Sequence, residues 1–495
     1  MDPRTPVIVG AGQVTNRRRR LVDPMTLMEE AALAADADAG GNALGHVSSV
    51  QAVNIVSARY SAPATALGQR LALRDGERLT TTVGGSTPLW LLCEACDRIT
   101  NGTLDGVLIA GAEAVDSARR ARREGTKLHR GDAVGAQADP VIGDARPPLS
   151  DGDLKAQLVA PSTIYPMFEQ ALAAKAGRTP DEHRVWLGGL MAPFTAVAAS
   201  HPDVSWFPRT LTPADIATVT PDNRMIAEPY PKNMNAIIQV DMAAALIVLS
   251  AAAAEAAGVP KDRWIFPWAG SRCDDVFIAA QRPDYTSSPG LAATARGAFG
   301  AAGVGLDDVA HFDFYSCFPS AVQIGAAALG LALDDPRGLT VTGGLPFFGG
   351  AGNNYVTHSI ATMVDLLRSD PSAIGVTTGI SWFVSKHGVV VFSGTPSKDG
   401  WRYADTVDVQ PAIDASALEL AAEAEGVAIV DAFTVEHDRD AGPVRAPVYA
   451  TLDDGRRVVA VPAIPELPRE LSGRNIVGEK VRVRTGEGGV VYELV

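Results

Sequence analysis

The sequence predicts an α/β protein built as two similar halves and followed by a small antiparallel β-barrel. Three observations carry this. Short β-branched runs alternate with amphipathic helices, as in TPVIVGAGQV and then MTLMEEAALAADADAG, which is the pattern of parallel strands joined by helical crossovers. The layout strand, helix, strand, glycine turn is met once before Gly258 and again before Gly394. After Gly394 the long strand–helix pairs stop, and short alternating segments take over.

Size and composition agree with that outline. A chain of 495 residues predicts about three domains. The expected units are 1–258, with an inserted loop domain at about 117–230, then 259–396, and an all-β domain at 401–495. Apolar residues at 46% and charged residues at 20% are an ordinary globular mix. Lys and Arg number 43 against 57 Asp and Glu, a net charge of −14. Phosphate neutralisation needs clustered cations, so this balance argues against a nucleic-acid or anionic-membrane protein. Four cysteines, Cys93, Cys96, Cys273 and Cys317, are no disulfide framework. The start, MDPRTPVIVGAGQ, has no apolar leader core, and the run MAAALIVL is far shorter than a membrane helix. The expectation is a cytoplasmic protein without cofactor or metal, since no His/Cys/Asp cluster has metal spacing.

The elements follow in order. TPVIVGAGQV reads as a buried strand ending in a tight turn at Gly10 and Gly12. The arginines at 17–20 read as a solvated loop. MTLMEEAALAADADAG is a helix stopped by Gly40 and Gly41, and GVLIAGAEAV is a second buried strand. The stretch RRARREGTKLHRGD is a charge run expected on the surface. Helical periodicity marks residues 165–175 and 179–198. Residues 241–258 read as strand then helix, with Ser250 as N-cap and Gly258 as stop. RWIFPWAGS, a helix at 292–302, the strand HFDFYS and a helix at 320–331 form the next series. A glycine-rich loop, GGLPFFGGAGNN, then leads to a helix at 355–368. Strand GVTTGIS, a turn at 386–388 and strand VVVFSG close the half. In the tail, Asp453–Asp454–Gly455 and Thr485–Gly486–Glu487–Gly488 read as hairpin turns of a barrel.

Several of these segments, in this order, resemble a thiolase over residues 4–395. TPVIVGAGQV is similar to the first core strand of the sterol-carrier branch, and VGGSTPLW with VLIAGAEA resembles the nucleophile loop, its helix and the next strand. YPMFEQALAAKAGRTPDEHRVW and NRMIAEPYP resemble the loop domain that covers the acyl-CoA site. DMAAALIVLSAAAAEAAG, HFDFYSCFPSA, GGLPFFGGAG and VSKHGVVVFS stand where the family has its closing strand, oxyanion segment, Gly-His-Pro loop and Cys-x-Gly loop. The all-β tail at 401–495 resembles the extra domain of thiolase-like protein type 1. The resemblance implies a duplicated five-layer αβαβα thiolase fold with a loop domain, plus the C-terminal barrel.

The chemistry of the family needs a thiolate at a helix N-terminus, where amides and dipole lower its pKa. The matching position falls at Gly84 or Gly85, and Ser86 is the nearest hydroxyl. Cys93 and Cys96 have C-x-x-C spacing but sit in an apolar helical run, which reads as packing. Gly349, Gly350 and Ala351 stand at the Gly-His-Pro position, and the second cysteine's loop offers His387, Lys386 and Ser385. In the oxyanion segment Tyr315 replaces the histidine while Cys317 and Phe318 match; a phenol can still donate to an oxyanion. Tyr355 opens a helix, and His358 follows one turn later on the same face. The candidates are therefore Tyr315, His387, Ser86, Tyr355 and His358 for chemistry, and Gly349, Gly350 and Phe318 for ligand binding.

Three functional readings follow. The first is a thiolase-like protein without thiolytic activity that binds an acyl-CoA or related thioester. The second is a retro-aldol carbon–carbon lyase on a β-hydroxyacyl-CoA, because related sterol side-chain aldolases carry tyrosines in these segments and work beside an all-β partner. There Tyr315 or Tyr355 would need tuning by His358 or His387. The third is a non-enzymatic scaffold, with nucleic-acid binding by the barrel disfavoured because Tyr449 and Tyr492 are its few aromatic platforms. The resemblance implies a dimer by default. The altered loop beside the dimer strand leaves a monomer open.

Overall fold

The computed structural model describes residues 1–128, 131 and 137–495. Two sheets face each other across a shared helical layer. The first has six strands, in the order Pro6–Thr15, Asp241–Ser250, Gly106–Ala114, Ser49–Ala52, Glu77–Thr81 and Val141–Ile142. The second has five: His311–Asp313, Ile374–Ser381, Lys386–Ser393, Phe266–Asp274 and Arg402–Ala404. Helices Thr87–Thr100 and Tyr355–Ser369 pack against both sheets. Both are buried along most of their length, and the buried polar side chains of the second, such as Thr357 and His358, find hydrogen-bond partners there. Helices Pro24–Asp38 and Pro289–Ala302 cover the outer faces, completing five layers.

Local signals set most boundaries. Asp23 accepts from Thr26 N and starts the first helix, and Ser250 accepts from Ala253 N. Gly258 takes φ +74° just past its helix. Three expectations need correction. Strand Pro6–Thr15 runs straight through Gly10 and Gly12 rather than turning there. A Cβ on Gly10 would lie 2.1 Å from the Ala35 carbonyl oxygen, so these glycines let the covering helix approach. The turn expected at 386–388 is strand; the chain reverses at 382–385, where Trp382 and Val384 hold φ +57° and +59°. HFDFYS is extended only over His311–Asp313, because Phe314 N bonds outward to the Leu339 carbonyl.

Between the halves, helices Pro161–Lys175 and Pro180–Ser200 form the core of the loop domain. The charge run begins on helix Val115–Glu124, and its residues 129, 130 and 132 lie outside the described residues. Buried Glu169 ties the loop domain to the second half: His183 Nε2 donates to it at 2.6 Å, Tyr230 Oη at 2.5 Å and Gln323 Nε2 at 2.7 Å. Burying a carboxyl group this deeply is tolerable only with such a set of hydrogen bonds.

The C-terminal strands Glu425–Phe433, Val448–Leu452, Arg457–Pro462, Gly489–Leu494 and Lys480–Gly486 close a barrel. Four neighbouring pairs are antiparallel, and Arg457–Pro462 runs parallel to Gly489–Leu494. Tyr449 and Tyr492 are buried, so neither offers a stacking platform. A hairpin beside the barrel, Glu436–Asp438 with Gly442–Arg445, pairs with the loop-domain strand Met225–Ala227. Among the described residues no helix is long and apolar enough to cross a membrane.

Candidate functional site

The loop at 82–86 joins strand Glu77–Thr81 to the central helix Thr87–Thr100. Gly84 N donates to Asn353 Oδ1 at 2.9 Å, and Asn353 Nδ2 donates to the Asn54 carbonyl at 3.0 Å. Ser86 N donates to Ser381 Oγ at 3.0 Å, and the two hydroxyls lie 2.6 Å apart. Gly85 stands between these anchors. A Cβ built there would lie 2.3 Å from Tyr315 Oη and 2.7 Å from Cζ of the same ring.

Two cavities flank this loop. The larger, about 780 Å³, opens between the loop, the glycine-rich segment and the loop domain; Gly85, Tyr315, Cys317, Phe318, Gly350 and Trp382 line it. The smaller, about 620 Å³, lies on the other side and is lined by Ser86, Ser381, Cys93, Lys386 and His387. The predicted residues are thus divided. Tyr315, Phe318 and Gly350 share the larger cavity, whereas Ser86 and His387 face the smaller one. Tyr355, His358 and Gly349 are buried beneath the wall and line neither.

Each side chain has a physical reason for its state. Phe318 is stacked between Tyr165 and Tyr230, at 4.6 Å and 5.9 Å, and so fixes the loop domain over the cavity. Tyr315 is held by its own backbone, whose N donates to Thr378 Oγ1 at 2.8 Å, and its ring meets Tyr355 edge-on at 5.7 Å. Burial, and then the neighbouring Cys317, push the Tyr315 phenol upward, so it stays protonated at neutral pH. Burial raises Cys317 to about 12, which leaves a thiol rather than a thiolate. The Tyr355 hydroxyl is paired with Thr342 Oγ1 at 2.6 Å and lies 3.4 Å from Asp313. His358 Nδ1 donates to Gln13 Oε1 at 2.8 Å; burial lowers the imidazole to about 3, and its Nε2 has no partner among the described residues.

His387 belongs to a buried polar cluster. Its Nε2 lies 2.8 Å from Asp275, 3.2 Å from Ser288 Oγ and 3.1 Å from the Val384 carbonyl. Burial works to raise the Asp275 carboxyl, but the Arg282 guanidinium and His387 outweigh it and hold it below the usual range. Arg282 also donates to the carbonyls of Val384 at 2.9 Å and Ser287 at 2.7 Å, so the cluster braces the turn at 382–385. Sequence reasoning missed Asn353, Trp382 and the cations of the larger cavity, Arg119, Arg224, Lys232 and Arg439. They come from separate segments with no shared motif. Among the described residues no group of three or more His, Cys, Asp or Glu could hold a metal ion.

Two sheets around a shared helical pair, a loop domain over the central helix N-terminus, and glycine-rich and oxyanion-type segments at one cavity define a protein of the thiolase fold. The solved dimeric peroxisomal thiolase of Saccharomyces cerevisiae is 13% identical, with TM-score 0.51 over 79% of this chain and 98% of that one. An Ltp2-ChsH2(DUF35) aldolase is 17% identical, with TM-score 0.61 over 80% of this chain and 99% of that one. Both show the fold. A monomeric SCP2-thiolase-like protein type 1 from Mycobacterium smegmatis is 31% identical, with TM-score 0.86 and full coverage of both chains. The thiolase-like protein type 1 additional C-terminal domain matches residues 408–488. The chain belongs to the SCP2-thiolase-like protein type 1 family. No curated protein sequence matches it.

Proposed function

We propose that this protein holds a CoA thioester in the larger cavity without attacking it through sulfur. The carrying observation is the Gly85–Tyr315 contact: the phenol stands where a side chain of the nucleophile loop would project. Each of the four cysteines is buried with its thiol pushed upward, first by desolvation, which removes the thiolate the family chemistry needs. The Tyr315 hydroxyl, at 8% residue exposure and facing the cavity, is a fixed donor for a thioester carbonyl. The aldol alternative needs a base at a β-hydroxyl, and burial pushes both Tyr315 and Tyr355 the wrong way for that task.

Calorimetric titration with CoA, acetyl-CoA and long-chain or steroid acyl-CoAs tests the reading. Binding of the thioesters is expected, with acetoacetyl-CoA thiolysis at background. Tyr315→Phe should weaken thioesters about tenfold, one hydrogen bond's worth, and spare free CoA. No binding at millimolar ligand would favour the scaffold, and thiolysis at an ordinary enzymatic rate would overturn the reading. We further infer a monomer. Support comes from strand Glu77–Thr81, whose outer edge is paired at Thr80 and Thr81 by the chain's own Val141–Ile142. Light scattering should return the mass of one chain.

A further inference from the structure

We propose that the C-terminal domain completes an anion site at the mouth of the larger cavity, and that Arg439 is its contribution. The identity of the ligand rests on the thioester reading; the anion site does not. Four cations line this cavity: Arg119 from helix Val115–Glu124, Arg224 and Lys232 from the loop domain, and Arg439 from the turn between Glu436–Asp438 and Gly442–Arg445. Among the described residues a single carboxylate, Asp222, lines it with them.

This balance runs against the rest of the chain, which carries 57 acids to 43 bases. Elsewhere arginines are commonly paired, as Arg98 is with Glu77 and Arg368 with Asp38. Among the described residues none of the four meets a carboxylate at ion-pair distance. Arg224 donates instead to the Met225 carbonyl at 3.1 Å and Lys232 to the Asp222 carbonyl at 3.4 Å. Four like charges around one cavity repel, and the Asp438 carboxylate offsets only Arg224. A polyvalent anion would relieve that repulsion, and guanidinium forks suit phosphate oxygens.

Arg439 is placed there by long-range structure. Strand Glu436–Asp438 adds to Met225–Ala227, with Glu436 opposite Ala227. The Asp438 carboxylate then accepts from Asp440 N at 2.9 Å and Ala441 N at 3.1 Å, which fixes the turn that carries Arg439. The ligand class is therefore an elongated molecule with an acyl or pantetheine-like body and a phosphorylated, multiply charged head. In the thioester reading that head is the phosphorylated nucleotide of CoA, and the C-terminal domain forms part of the binding wall.

The test uses full-length protein at low salt and three probes: CoA, pantetheine and inorganic tripolyphosphate. Arg439→Glu is compared with Arg469→Glu, the same charge change at an exposed residue of the same domain. Arg439→Glu should weaken CoA and tripolyphosphate about tenfold, leave pantetheine unchanged and lower the salt dependence. Arg469→Glu should bind all three as the unaltered protein does. Tripolyphosphate binding that responds to Arg439, with no binding of CoA, supports the anion site and sinks only the thioester reading. Failure of the unaltered protein to bind tripolyphosphate overturns the proposal. So does equal CoA affinity in the two variants, which would leave the thioester reading standing. Equal melting temperatures of the variants exclude misfolding as the cause.

Discussion

Gly85 and Tyr315 share one volume. A Cβ on Gly85 would sit 2.3 Å from Tyr315 Oη, and the Ile380 carbonyl oxygen, 2.6 Å from the same point, closes the space from another side. One neighbour is a side chain and the other is backbone. Gly85→Ala should therefore cost about 1–3 kcal/mol, and Tyr315→Ala in the same chain should return only part of it. Urea denaturation of the two single variants and the double variant measures this. Gly85→Cys with undiminished stability would show that the space is not shared.

The cysteines should be inert in the folded protein. With Cys317 at about 12, roughly one molecule in 10⁴ to 10⁵ carries its thiolate at pH 7.5. Native protein treated with iodoacetamide should stay unmodified over hours, and all four cysteines should react once it is unfolded. Rapid labelling of Cys317, the one beside Tyr315 in the larger cavity, would contradict the thiol state assigned to it.

His358 predicts a pH dependence with a definite sign. Folded, it titrates at about 3; unfolded, near 6.5. Above pH 6.5 both states are neutral and it contributes no slope. Between pH 6.5 and 3 only the unfolded chain takes up the proton, so stability falls as pH falls, by about 1.4 kcal/mol per unit. Asp313 and Glu113, both raised by burial, act with the opposite sign and are common to any variant. The difference in slope between the unaltered protein and His358→Gln across pH 6.5 to 4.5 isolates the imidazole. Identical slopes would contradict its burial as a neutral base.

Glu228 should control docking of the C-terminal domain. His437 Nε2 donates to it at 2.8 Å, Ser472 Oγ at 2.6 Å and Gly473 N at 2.9 Å, and all three donors come from the far side of the junction. Glu228→Ala removes the one acceptor these partly exposed donors share and should cost about 1–3 kcal/mol. Limited proteolysis should then cut near the hairpin that follows Phe433 sooner than in the unaltered protein. An unchanged cleavage pattern and melting temperature would deny Glu228 this role.

Much of the fold was legible in the chain. Helical patterning marked the stretches 25–40, 165–175 and 355–368, which fold as Pro24–Asp38, Pro161–Lys175 and Tyr355–Ser369, and turn residues marked the barrel hairpins, because those signals act over a few residues. The order of segments carried the two halves and the positions at 84–85, 315 and 349–351. Tertiary structure alone decided the rest. Gly388 looked like a turn, yet Trp382 and Val384 reverse the chain at positive φ, braced by the remote Arg282 and by His387 of the same hairpin. Ser86 and Tyr315 looked like one site, yet they face separate cavities: the Ser86 hydroxyl turns to Ser381, while Tyr315, two residues past its strand, stands against Gly85 on the other side of the loop. The cations of the mouth come from helix, loop domain and C-terminal hairpin, and no local pattern announces a meeting of residues more than 300 positions apart. Local sequence encodes local geometry, whereas a site depends on which distant surfaces packing brings together.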